Sequence, residues 1–162
     1  MAIRDTLLPE FDHEMASTRK VLERVPDDKL TWKPHEKSGT MGWLAAHVAT
    51  LPEWVTMTFE KDSLELDPNF RPPKPGSRKE MLEAFDKHAA QARATLSQAE
   101  DAVFQQMWTL SSGGNTILSM PRAQVYRSMI LNHLVHHRGQ LTVYLRLNDV
   151  PVPGLYGPSD EK

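Results

Sequence analysis

The 162-residue chain contains no cysteine. Disulfides and thiolate-held zinc are therefore excluded, any metal must be bound by nitrogen and oxygen, and any thiol chemistry must use a thiol brought in by another molecule. No apolar run reaches the roughly 18 residues that a membrane-spanning helix needs. An excess of one charge is also missing. The 19 Lys and Arg residues against 21 Asp and Glu leave a net charge of −2, which gives no electrostatic reason to expect nucleic acid or an anionic membrane as partner. The first residues, Met1 to Asp5, carry charge early and lack the apolar core of a signal peptide. These absences point to a cytoplasmic protein.

A 40% hydrophobic content over this length suits one domain, residues 1–162, with a real core. Helical periodicity dominates, and no long strand pattern competes with it. The first segment, about Arg4 to Val25, carries the stripe Leu7, Leu8, Phe11, Met15, Leu22 and Val25 and is closed by Pro26. A connector holding one helical turn follows, with Trp32 tucked against the helices. The second segment runs from about Thr40 to Glu60, with Trp43, Leu44, His47, Leu51, Trp54, Val55 and Thr58 inward. Pro52 lies inside it and must kink or break it one turn past His47, because proline lacks an N–H and crowds the carbonyl of residue 48. Residues 67–76 form a Pro-rich linker. Ser77-Arg78-Lys79-Glu80 matches a capping box and opens a third helix to about Ala99, packing Met81, Leu82, Phe85, Ala89, Ala92 and Leu96. Residues 104–120 read as a small β-hairpin turning at Gly113-Gly114. Pro121 suits the first position of a fourth helix ending near Leu147, and residues 148–162 form a coil. The expectation is an all-α four-helix bundle with long connections.

The apolar faces carry an anomaly. At about 100° per residue, Ile130, His133, Leu134, His137, Gln140, Leu141 and Tyr144 share one arc of the last helix. Two imidazoles four residues apart can chelate one ion, and His47 on the second segment offers a third. Three histidine ligands would leave a coordination position open for water or substrate. A zincin needs Glu directly after its first histidine as general base, and here that residue is Leu134, so the metalloprotease chemistry fails. His136 falls toward the edge of the arc, and His13, His35 and His88 read as surface or loop residues. Asn132, Gln140, Tyr144 and Glu14 are candidate partners for the outer ring nitrogens, with Asn132 and Glu14 better explained as a surface amide and a solvated carboxylate. Trp43 and Trp54 lie on the His47 side, as core aromatics or as walls of a pocket.

The segment Asn132-His133-Leu134-Val135-His136-His137-Arg138-Gly139-Gln140-Leu141 closely resembles the last-helix signature of the DinB-like superfamily. Gly42-Trp43-Leu44-Ala45-Ala46-His47-Val48, with Pro52 and Trp54 after it, resembles that superfamily's second-helix segment. The resemblance implies an up-down-down-up bundle and a divalent metal, often zinc or nickel, held by His47, His133 and His137. It also implies a homodimer, to which an outer strip of Leu131, Val135 and Val143 would contribute unless the hairpin or tail covers it. Some members of the superfamily join a low-molecular-weight thiol, such as bacillithiol or mycothiol, to an electrophile. The first expectation is thus a metal-dependent thiol S-transferase acting on small molecules. The others are a metal-dependent hydrolase, needing His136 or a carboxylate as base, and a non-catalytic metal-binding or interaction protein.

Overall fold

A computed structural model of the chain describes residues 1–70 and 76–158. It is mostly helical, with a small three-stranded sheet. Helix α1 spans Ile3–Leu22, α2 Met41–Thr50 and α3 Glu53–Glu60. Strand β1 is Ser63–Leu66, followed by α4 at Arg78–Gln98 and α5 at Asp101–Gln105. Strands β2, Met107–Ser112, and β3, Asn115–Pro121, lead into α6, Arg122–Gln124, a π-helical stretch, Val125–Leu131, and α7, Asn132–Arg146. Helix α1 packs on α4 and α7, and α2 packs on the same two helices, so His47 faces α7 across the shared core. No helix among the described residues is long and apolar enough to cross a membrane.

Most of the predicted stripe positions fill that core, whereas Trp43, expected inward, is 37% exposed. Phe11, Leu22, Leu44, Met81, Phe85, Leu96, Leu134 and Leu141 are all buried, each large apolar side chain contributing about 1.5–3 kcal/mol relative to exposure. Helix starts follow the side chains expected to cap them. Thr40 Oγ1 accepts from the backbone N–H of Trp43 at 3.1 Å. Ser77 Oγ accepts from Glu80 N at 3.2 Å while Glu80 Oε2 accepts from Ser77 N at 2.7 Å, closing the capping box. The connector turn is a 3-10 helix at Asp27–Lys29. Pro52 breaks the second segment. Leu51 and Pro52 keep helical dihedrals, but Trp54 N and Val55 N donate to the carbonyls of Leu51 and Pro52, three residues back, in place of the α pattern.

The sheet corrects the expectation of a lone hairpin. β2 and β3 pair antiparallel around Gly113 and Gly114, whose φ values of +57° and +77° suit glycine at both central turn positions. β1 adds a third strand, parallel to β2 with Leu64 opposite Leu110, and the chain returns to it through α4 and α5. Four residues are too few for the periodicity test, although Leu64 and Leu66 alternate with exposed neighbours as a half-covered strand requires. The short helix α5 also lay outside the sequence expectation. Of the Pro-rich linker, Asp67 to Phe70 form a turn in which Phe70 N donates to Asp67 O, and 71–75 lie outside the described residues. The C-terminal coil is irregular through Pro158, and 159–162 lie outside the described residues.

The last helix departs most from uniform winding. Pro121 ends β3 and caps the helix from outside, with ψ of 142°, so it is not the first helical residue. Arg122 is buried and gathers the end of α3: its Nε donates to Thr58 O at 2.7 Å, Nη2 to Lys61 O at 3.1 Å and Nη1 to Gln106 Oε1. The π stretch follows, and Asn132 N donates to Arg127 O, five residues back. Wider winding turns each residue through less than the α-helical angle. Leu131, expected on the outer side, is 3% exposed, while Val143 remains exposed. The outer strip expected from Leu131, Val135 and Val143 is not one continuous face.

A further polar cluster is buried in the helical core. Arg138 is 1% exposed, and its guanidinium pairs with Glu14 Oε2 at 2.7 Å and donates to Glu14 O at 3.1 Å and Thr18 Oγ1 at 3.2 Å. The Tyr156 hydroxyl from the tail donates to the Glu14 carboxylate at 2.9 Å and also meets Arg138 Nη2. Glu14 is thus neither solvated nor a partner of the histidines.

Candidate metal centre

His47 comes from α2, and His133 and His137 come from successive turns of α7. The π stretch ends just before them, so the spacing of four holds on true α-helix and stacks the two rings on one face. One nitrogen from each ring lies within 4.8 Å of the other two. His47 Nε2 is 3.3 Å from His133 Nε2, and His137 Nε2 is 2.8 Å from His133 Nε2. The structure therefore brings together the three histidines singled out from sequence. His136 stays exposed, its ring 4.9 Å from that of His137 and outside the convergent group.

The outer nitrogens decide what the inner ones offer. His133 Nδ1 lies 3.1 Å from Met129 O, which can only accept, so Nδ1 carries the proton. His137 Nδ1 lies 2.7 Å from Gln140 Oε1 as assigned, which selects the same tautomer. In neutral rings of that tautomer, both Nε2 atoms present lone pairs to each other. Charging is opposed: burial foremost, then His137 and His133, pushes the His47 pKa down to about 4. Burial also lowers that of His137, against the opposing hydrogen bond that its Nδ1–H donates to Gln140 Oε1. Inward lone pairs of the kind His133 and His137 offer in that tautomer are what a divalent cation requires of its ligands. Ligands about 2.0–2.1 Å from a tetrahedral ion sit about 3.3 Å apart. The His47–His133 separation equals that value, and the His133–His137 separation is about half an ångström short of it, within reach of a small ring rotation. The donor set fits a divalent ion of the zinc type.

Aromatic side chains enclose the group. Trp43 stacks on His47 with centroids 5.3 Å apart and planes 10° apart, and meets His137 edge-on at 6.4 Å. Gly39 permits this placement, since a Cβ there would lie 2.6 Å from Trp43 Cε3. Tyr144 is turned away from the ring nitrogens, donating to Gly39 O at 3.3 Å and packing edge-on against Trp32. Of the four candidate outer partners, only Gln140 reaches a ring nitrogen; Asn132 is exposed. The Met129 carbonyl was not among them, because a backbone partner leaves no trace in residue type. Trp54 walls two cavities, one of about 90 Å³ that also borders His47 and His133, and a larger one of about 620 Å³ bordered by His88. His88 is half-buried with Nδ1 unpartnered among the described residues, contrary to the surface placement expected of it.

The family model for DinB matches residues 2–162. The chain belongs to the DinB family. A curated relative, the uncharacterized protein YrdA of Bacillus subtilis strain 168, is 27% identical over 163 residues, covering 98% of this chain and 90% of that protein. Among solved structures, a DinB-like protein from Bacillus cereus ATCC 10987 superposes with a TM-score of 0.74 at 24% identity, covering 96% of this chain and 98% of that one. The DinB-like protein YjoA from Bacillus subtilis gives 0.67 at 16% identity, covering 89% and 92%. At these identities the structural likenesses speak for the DinB fold alone.

Proposed function

We propose that this DinB protein binds a divalent metal ion through His47, His133 and His137 and uses it as a thiol S-transferase acting on small electrophiles. One observation carries the metal assignment: three Nε2-side donors converge while Met129 O and Gln140 Oε1 hold the outer nitrogens of His133 and His137. A bound ion would supply Lewis acidity at an open position, lowering the pKa of a thiol there to give a nucleophile near neutral pH. The chain's own residues orient and shield. Gln140 and the Met129 carbonyl fix the tautomers of two rings, burial keeps His47 neutral, and Trp43 stacks over His47. The thiol must be a separate molecule because the chain has no cysteine. The proposal includes zinc or nickel as the ion, a low-molecular-weight thiol as co-substrate, an up-down-down-up helix path and a cytoplasmic homodimer. The hydrolase alternative needs a base, and among the described residues no carboxylate joins the histidine group while His136 is exposed.

Metal analysis of protein purified without added metal tests the assignment. One equivalent of ion in the wild type is expected, with loss in His47→Ala, His133→Ala and His137→Ala. Stoichiometric metal retained in all three variants would sink it. Cobalt-substituted protein should change its visible spectrum on addition of a small thiol. An unchanged spectrum counts against the transferase and leaves a metal-binding protein. Light scattering checks the dimer.

A further inference from the structure

The larger cavity, of about 620 Å³, is bordered by none of the three histidines. Three elements build most of it. Helix α3 contributes Trp54 and Met57, α4 contributes Ala84 and His88 one turn apart, and β1 contributes Leu64 and Leu66. At Ala84 the wall is a single methyl group. Phe70, 51% exposed, also stands at the border. The volume falls in the range of about 300–1,000 Å³ found for organic ligand sites, which are mostly apolar with a few polar groups. The charged residues on this border are all acidic. They are Glu53, Glu65 and Asp67, and no Lys or Arg lines the cavity among the described residues. None of the three carboxylates is ion-paired among the described residues. Two are held by backbone donors: Glu65 Oε1 accepts from Gly114 N at 2.9 Å, and Asp67 Oδ1 from Asn69 N at 2.7 Å. A cleft with low-dielectric walls and charge of one sign raises the local concentration of the opposite sign. These acids do not converge as metal ligands do, since the histidine triad is the one group with that spacing among the described residues. A spread negative potential suits a positive charge on a bulky body, and aromatic rings such as those of Trp54 and Phe70 attract such cations.

We propose that this cavity is a binding site for an aromatic ammonium compound, its ring body packed on Trp54, Met57, Leu64 and Leu66 and its charge balanced by Glu53, Glu65 and Asp67. The site is independent of the metal assignment. Trp54 is nevertheless shared, since it also walls the small cavity that His47 and His133 border. A compound packed on Trp54 is thus separated from that smaller cavity by one side chain. The apolar walls supply affinity, and the carboxylates select the sign of the charge. One unit charge about 4 Å away in water changes affinity about fivefold. A cation should exceed its neutral analogue by at least that factor, and an anion should bind worse than either.

Calorimetric titration of the full chain with three naphthalene compounds of similar size tests this: cationic naphthylmethylammonium, neutral naphthylmethanol and anionic naphthoate. The cation should bind at one site and most tightly, the alcohol less and naphthoate least. At about 1 M salt, where the screening length is about 3 Å, the preference should shrink. Glu53→Gln combined with Glu65→Gln should cut the preference for the cation to about twofold and leave the alcohol unchanged. Ala84→Trp fills the space and should abolish binding of the cation and the alcohol, with the helical circular dichroism spectrum retained. Cation binding no tighter than that of the alcohol, or absent at millimolar concentration, overturns the proposal. So does binding unchanged in Ala84→Trp. If that variant loses its helical spectrum, the paired glutamine variant decides, since a cation preference unaltered there overturns the site by itself.

Discussion

Helix α7 buries two kinds of polar group one residue apart, and their surroundings are opposite. Arg138 has its demands met inside the fold: Glu14, Thr18 and Tyr156 surround it, and the Glu14 carboxylate balances its charge. His137 turns Nε2 toward His133 Nε2 at 2.8 Å with no proton between them in the tautomer their outer partners select, and Gln140 satisfies the outer edge of its ring. A polar group completed by its own chain holds the fold together. A set of lone pairs turned toward one another can accept a cation that the chain does not supply. The contrast separates a structural cluster from a candidate metal centre without reference to any relative.

The largest expected effect comes from breaking the completed cluster. Arg138→Met leaves Glu14 buried without its counter-charge and should cost about 3–5 kcal/mol, read as a lowered midpoint in urea unfolding. An unchanged midpoint would make the network ornamental. Breaking the other group should behave differently. His133→Ala should leave the metal-free protein nearly as stable as the wild type, yet remove the gain of about 2.7 kcal/mol expected at a metal concentration one hundredfold above Kd; thermal melts with and without metal check this. Gln140→Ala keeps all three ligands and loses one outer tether, so metal affinity should fall about 10–100-fold, measured by competition with a chromogenic chelator. The smallest effect is remote from both: Ser77→Ala should cost about 1 kcal/mol through the α4 cap with metal uptake unaltered.

Acid sharpens the same comparison. The folded-state pKa of His47 is about 4, below its ordinary 6.5, and that of His137 is also lowered. The folded protein therefore binds fewer protons than the unfolded chain across that interval. Stability from these rings is fully present above pH 6.5 and falls as pH drops toward 4. Metal deepens the dependence, because protons compete for the same nitrogens. Unfolding measured from pH 7 to pH 4 in the presence of metal should show a steeper loss in the wild type than in His133→Ala, which does not take up the ion.

The helical stripes, the caps at Thr40 and Ser77 and the break at Pro52 were legible because each depends on neighbours within about four residues. The three histidines were legible for the same reason, being polar at positions that periodicity assigns to the core. Other features lay beyond local pattern. Strand β1 is too short to announce itself and forms only because β2 lies alongside. The π stretch changes the winding without a residue signature, and the burial of Leu131 depends on what packs over it from elsewhere in the chain.

By itself, the order of residues determined a helical chain without thiols, its main helix starts and the positions of three inward imidazoles. The tertiary structure decided that those imidazoles converge, that a backbone carbonyl and Gln140 orient two of them, and that Glu14 belongs to Arg138. It also set Trp108 in the wall of a cavity that His47 and His133 border. Helix period and capping are short-range interactions written into adjacent residues. Which lone pair meets which donor is set by elements far apart in sequence, such as His47 and His133, and exists only once they pack.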